Sequence, residues 1–222
     1  MNLKQVRERH NKRGEMKWNK ISNSNRDFEA YKDWTNVFFE DRFARYVLFI
    51  INRSGMAWVN FYRQKRRKTR RENKREADKA AYQEGLSSAY HQFLLTSFGK
   101  LHDTKRWTVY PDNGLFSNDS VLKGTEIRFN RTYKRAFGPK TSRIIPLMKY
   151  RHSDVDDLLQ LTDVLLGAFS CDYLNVSVQG TKGDILKYCK DAIQQRGFTE
   201  KNLSKLIYKN WIPEDQFDYK LN

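Results

Sequence analysis

The chain is poor in the residues that most often announce a site. It has only two cysteines, Cys171 and Cys189, in neither a metal-ligand nor a redox spacing. That excludes a local thiolate zinc motif and reads as reduced thiols in a cytoplasmic protein. The four histidines, His10, His91, His102 and His152, form no local zinc pattern either. No apolar run is long enough to span a bilayer, and the opening MNLKQVRERH lacks the apolar core of a signal peptide, so no membrane partner is expected. Acids are the scarce charge: 26 Asp and Glu stand against 42 Lys and Arg, a net charge of +16. An excess of that size favours polyanions, because phosphate contacts release counterions. The plainer reading is that it aids solubility or docks an acidic protein.

What is present suffices for a hydrophobic core. The 222 residues are 39% hydrophobic and 14% aromatic, and one domain over residues 1–222 is the simplest organisation. Residues 1–36 are polar and read as helical or irregular, with ISNSNRD as a loop or a helix start. ARYVLFIIN (Ala44–Asn52) has the composition of a buried central strand. The basic stretch RQKRRKTRRENKREADK leads into AAYQEGLSSAYHQFLLTSFG, whose apolar residues recur at helical spacing. One long helix over 63–98 is therefore expected, basic in its first half and stopped at Gly99.

RWTVYPDNG alternates into a short strand, IRFNRTYKRAFG reads as a short helix, and SRIIPLMKY reads as a strand. The C-terminal part, 155–222, reads as helical: one helix from about Val155 to Ser170, a loop at NVSVQGTKGD, a last helix at ILKYCKDAIQQRG and an irregular tail. Strands alternating with helices predict an α/β layered fold.

Two stretches stand out for chemistry. Arg63, Lys65, Arg66, Arg67, Lys68, Arg70, Arg71, Lys74 and Arg75 form a basic run able to track the phosphates of a nucleic acid. Trp58, Phe61 and Tyr62 precede it, as stacking residues or as core. No sequence-reading motif is present, so contact with backbone is expected. The second stretch is LLQLTDVLLGAF (Leu158–Phe169), nearly all apolar with Asp163 in its middle. At about 100° per residue, Asp156, Gln160, Asp163 and Gly167 share a band of roughly 60°. A carboxylate in so narrow a slot needs a partner, either a basic side chain or a metal ion.

LLQLTDVLLGA resembles the Leu-Gln-Leu-Ala-Asp-Leu-Leu-Ala-Gly-Ala element near the end of the domain-of-unknown-function family 3800, whose fold is ribonuclease H-like. GEMKWNKIS (Gly14–Ser22) resembles that family's Glu-x-Lys-Trp element, and WTVYPDNG, where a strand ends on Asp112, is a looser match. The resemblance runs from about residue 8 to 195. It implies a mixed sheet flanked by helices and a set of acids that holds two Mg²⁺ or Mn²⁺ ions. Carried over, the metal ligands are Glu15, Asp112 and Asp163, with Lys17 orienting a carboxylate or meeting a phosphate. The implied activity is metal-dependent hydrolysis of nucleic acid, a nuclease in antiviral defence or mobile-element biology. By their residues alone, Glu15 and Lys17 read as a solvated pair and Asp112 as a turn former.

The chain departs from the family in one respect. The usual Tyr-x-Asp-Glu-Ser-Gly strand is not found, and His152-Ser153 stands where the family has Asp-Ser. The expected fold is thus incomplete at its N-terminal strand, through a truncated or misassigned start, a strand supplied by a partner chain or second copy, or decay of the site. The alternative function is a catalytically incomplete nucleic-acid-binding module or subunit.

Overall fold

A computed structural model describes residues 2–41, 44, 46–50, 59–61, 63–64, 67, 74–98, 108–112, 119–137, 147–195 and 206–210. In chain order its named elements are α1 (Leu3–His10), a 3₁₀ turn (Trp18–Lys20), α2 (Asn25–Glu40), β1 (Tyr46–Ile50), α3 (Lys74–Phe98), β2 (Thr108–Val109), α4 (Asp119–Phe137), β3 (Leu147–Met148), α5 (Asp157–Tyr173), α6 (Gly180–Gln195) and β4 (Leu206–Asn210). They divide into two compact units, Met1–Leu48 with His152–Tyr208, and Phe49–Arg151 with Lys209–Asn222.

In the first unit, α2 packs against α1, α5 and α6. Local chemistry sets where these helices start. Asn2 and Gln5 form a reciprocal capping box at α1, and Ser24 accepts the Asp27 N–H at 3.1 Å to cap α2. Asp156 accepts the N–H groups of Leu158 and Leu159 at 3.0 and 3.1 Å, so the first acid of the polar band caps α5. Helix α6 begins at Gly180, whose φ of +61° places it in the left-handed region that glycine tolerates. There Thr181 N–H donates to Asn23 Oδ1 at 3.1 Å and Ser24 N–H donates to Thr181 Oγ1 at 3.1 Å. The starts of α2 and α6 therefore cap each other. Behind these caps Ala30, Trp34 and Phe39 of α2, Val164, Ala168 and Phe169 of α5, and Ile185 and Cys189 of α6 are buried.

In the second unit α3 packs against α4, and α4 against β3. Leu94 and Leu95 of α3, Leu122, Phe129 and Tyr133 of α4, Val109 of β2 and Met148 of β3 form one core cluster. Strands β2 and β3 are parallel, with Thr108 opposite Leu147 and Val109 opposite Met148, and an isolated bridge joins Asp112 to Arg151. Glu126 of α4 accepts the Met148 N–H at 3.2 Å, tying helix to ladder.

The fold expected from the sequence needs correction. The described residues are mostly helical and hold no ribonuclease H-like mixed sheet flanked by helices. Their strands form two separate two-stranded pairs, β1 with β4 and β2 with β3. The physical reason lies in length and pairing. Strands of two residues offer too little pleated surface to cover a helix layer, so the apolar stripes of the helices are buried chiefly against other helices. The strand-like segments ARYVLFIIN, RWTVYPDNG and SRIIPLMKY do contain β1, β2 and β3, but composition marks a strand without naming its neighbours.

Candidate functional site

The polar band of α5 faces the segment that carries the second family-like motif. Gln160 is fully buried and uses its whole amide. Its Nε2 donates to the carbonyls of Ser153 and Asp154 at 2.7 and 3.1 Å, while its Oε1 accepts the Met16 N–H at 2.7 Å and a bond from the Arg7 guanidinium. One turn further on, Asp163 Oδ2 accepts the Trp18 N–H at 2.9 Å. Lys17 between them is extended, with φ −124° and ψ 156°. In extended backbone alternate N–H groups point the same way, so Gln160 and Asp163 hold the amides of residues 16 and 18.

A further turn along, Gly167 receives the Trp18 ring: a Cβ at 167 would lie 2.1 Å from the ring's Cγ. Lys182 Nζ sits 5.8 Å from the centroid of the same ring. Arg7 completes the clamp from α1. It donates to Asp157 at 2.7 Å and to the carbonyls of Lys12 and Gly14 at 3.2 and 2.7 Å. Tyr31 donates its hydroxyl to the Lys17 carbonyl at 3.2 Å, and burial, with Asp27 nearby, pushes its phenol up to about 12.

Each residue singled out in the sequence can now be placed. Asp163 is half-buried and binds a backbone amide. Glu15 and Lys17 lie in the segment around Met16 and Trp18 that α5 holds, the strap, and pair with each other at 2.9 Å. Asp112 lies in the second unit, exposed, in its bridge with Arg151. Among the described residues no three His, Cys, Asp or Glu side chains group to hold a metal ion. Of the basic run, Arg63, Arg67 and Arg75 are exposed, and Lys74 opens α3. Lys65, Arg66, Lys68, Arg70 and Arg71 lie outside the described residues.

Two features escaped the sequence reading. The first is that the amide acceptors of α5 serve the strap, a pairing with no local signature. The second is the distribution of charge. Residues 49–151, the body of the second unit, carry 23 Lys and Arg against 8 Asp and Glu, while the rest of the chain carries 19 against 18. Nearly all the excess belongs to one unit. Part of it lies on α4, where Arg131, Lys134 and Arg135 are exposed at spacings that share a face. Those positions were visible in NRTYKRAF as cations three and four residues apart.

Among the described residues no helix is long and apolar enough to cross a membrane. Compared with known proteins, the chain matches no family model, no curated protein and no solved structure.

Proposed function

We propose that the protein is a nucleic-acid-binding module whose second unit grips the phosphate backbone. The segregation of charge carries this reading. Residues 49–151 hold a net +15, from 23 cations and 8 acids, on a unit whose exposed cations include Arg63, Arg67, Arg131, Lys134, Arg135 and Lys149. A solubilising charge has no reason to collect in one unit. A phosphate-tracking surface does, because each neutralised phosphate releases condensed counterions. The first unit is close to neutral, and Gln160 and Asp163 of its polar band bond to the Met16 and Trp18 amides, which suits a scaffold.

The test is fluorescence anisotropy with labelled single-stranded and duplex oligonucleotides over a series of salt concentrations. Binding is expected at low salt, with the logarithm of the affinity falling linearly against the logarithm of salt. Replacing Arg131, Lys134 and Arg135 together by Gln should weaken binding and flatten that slope by about two to three contacts' worth. Affinity indifferent to salt, or absent at low salt, would overturn the reading. A parallel arm with Mg²⁺ or Mn²⁺ asks whether the strand is cut. Cleavage by the wild type that disappears in Asp163→Ala would replace the binding module with the metal-dependent hydrolase implied by the family resemblance.

A further inference from the structure

We propose that the outward face of the β2–β3 ladder is a stacking platform for an unpaired base, so that the nucleic acid held by the second unit is single-stranded. This rests on the preceding reading that the unit binds nucleic acid, and it adds the strand form and the residues that select it.

The ladder has two unlike faces. Val109, Pro111 and Met148 are buried, with Val109 and Met148 in the core cluster beside Leu122 and Phe129 of α4. Tyr110, Lys149 and Arg151 alternate with them and are exposed, as the period-two geometry of paired strands requires. Two backbone bonds set this register beyond the ladder itself. Lys149 N–H donates to the Val109 carbonyl at 3.1 Å, and Arg151 N–H donates to the Pro111 carbonyl at 3.2 Å. On the exposed face the Arg151 guanidinium lies 3.9 Å from the centroid of the Tyr110 ring, while the tyrosine is still 39% exposed.

A tyrosine with a guanidinium over its ring, on a paired backbone and in a strongly basic unit, matches what an unstacked base seeks. Every base has a π face and so can stack on an aromatic ring or a guanidinium plane, and the neighbouring cations take the phosphates. A duplex offers no such face, because its bases are already stacked on one another. Lys149, two residues before Arg151 on the same face, is placed for the adjoining phosphate. Asp112 shares this register and is exposed, so it repels a phosphate at that end and leaves the Lys149 end for the backbone.

The experiment compares wild type, Tyr110→Ala and Tyr110→Trp in binding to a labelled thymidine homopolymer and to a duplex of equal length. Tyr110 is exposed, and circular dichroism melting serves as the control that the variants fold. Tyr110→Ala should lose about tenfold in affinity for the homopolymer, keep its affinity for the duplex, and keep the salt slope, because stacking releases no counterions. Tyr110→Trp should retain or raise homopolymer affinity. If Tyr110→Ala binds the homopolymer like wild type, or weakens for both ligands equally, the platform is overturned while phosphate binding stands. If wild type binds neither ligand in a salt-dependent way, the underlying reading fails and the platform with it.

Discussion

At the scale of single residues, the most informative are two acids bonded inside the first unit, Asp163 and Asp27. Asp163 was recognisable from its place in an apolar helix as a carboxylate in need of a partner. That the partner is the Trp18 N–H was not recognisable, because a backbone amide leaves no mark in the composition of the segment that supplies it. A bond to a charged acceptor contributes about 1.5–3 kcal/mol. Asp163→Ala should therefore lower the unfolding free energy by about 1–3 kcal/mol in urea titration, whereas Asp163→Asn, which keeps an acceptor oxygen, should lose less. Equal loss in both variants would point to a need for the negative charge itself.

Asp27 carries a pH dependence. Burial pushes its carboxyl up, but bonds from Lys12 and from the Ser22 amide and hydroxyl outweigh it and hold the group below its ordinary value of 3.8. A carboxylate depressed in the folded state adds stability in full above its unfolded value and loses it as pH falls through the folded one. The stability gap between wild type and Asp27→Asn should accordingly be constant from neutral pH to about pH 5 and shrink below about pH 4. A gap that does not change with pH would remove this assignment.

At the scale of elements, two glycines in helices make opposite predictions. At Gly167 an added Cβ collides with the Trp18 ring, so Gly167→Ala must push the strap off α5, at a cost of about 1–3 kcal/mol. At Gly124 in α4 an added Cβ meets nothing within 4 Å, and Gly124→Ala should stabilise by about 0.5–1 kcal/mol through helix propensity. Denaturant midpoints moving in the same direction for both would contradict the close approach of Trp18. The same contrast bears on what could be read in advance. Helix α5 was legible from its apolar run and helical wheel, whereas α2 (Asn25–Glu40) reads in the sequence as helical or irregular, with only its start marked by ISNSNRD. The start of α6 was not, since Gly180 and Thr181 lie in a stretch of loop-like residues and their capping partner, Asn23, is distant in sequence. The outward side of α5 was also misleading. Gln160 and Asp163 turn to the strap, while Leu158, at 65% exposure, and Leu166, at 44%, face water, against the usual amphipathic rule. The strand segments were locally legible, but their grouping into two small pairs depended on partners that local composition does not specify.

At the scale of the whole molecule, the charge count was legible from the start, and its confinement to one unit appeared only once the structure divided the chain. If that unit makes the phosphate contacts, lysine acetylation footprinting with a bound oligonucleotide should protect Lys134 and Lys149 and leave Lys4, Lys32 and Lys190 of the first unit reactive. Protection spread evenly over both units would argue for diffuse ion association instead. The division of charge also has a kinetic side. Long-range attraction acts before contact and can raise encounter rates by about 10- to 1,000-fold at low ionic strength. If the proposed binding holds, that attraction acts almost wholly on the charge of residues 49–151, a net +15 from 23 cations and 8 acids. Added salt should then slow arrival steeply, while departure, governed by short-range contacts such as those at Tyr110 and Arg151, responds far less. If the second unit binds a polyanion, the near-neutral first unit should contribute little to that salt dependence.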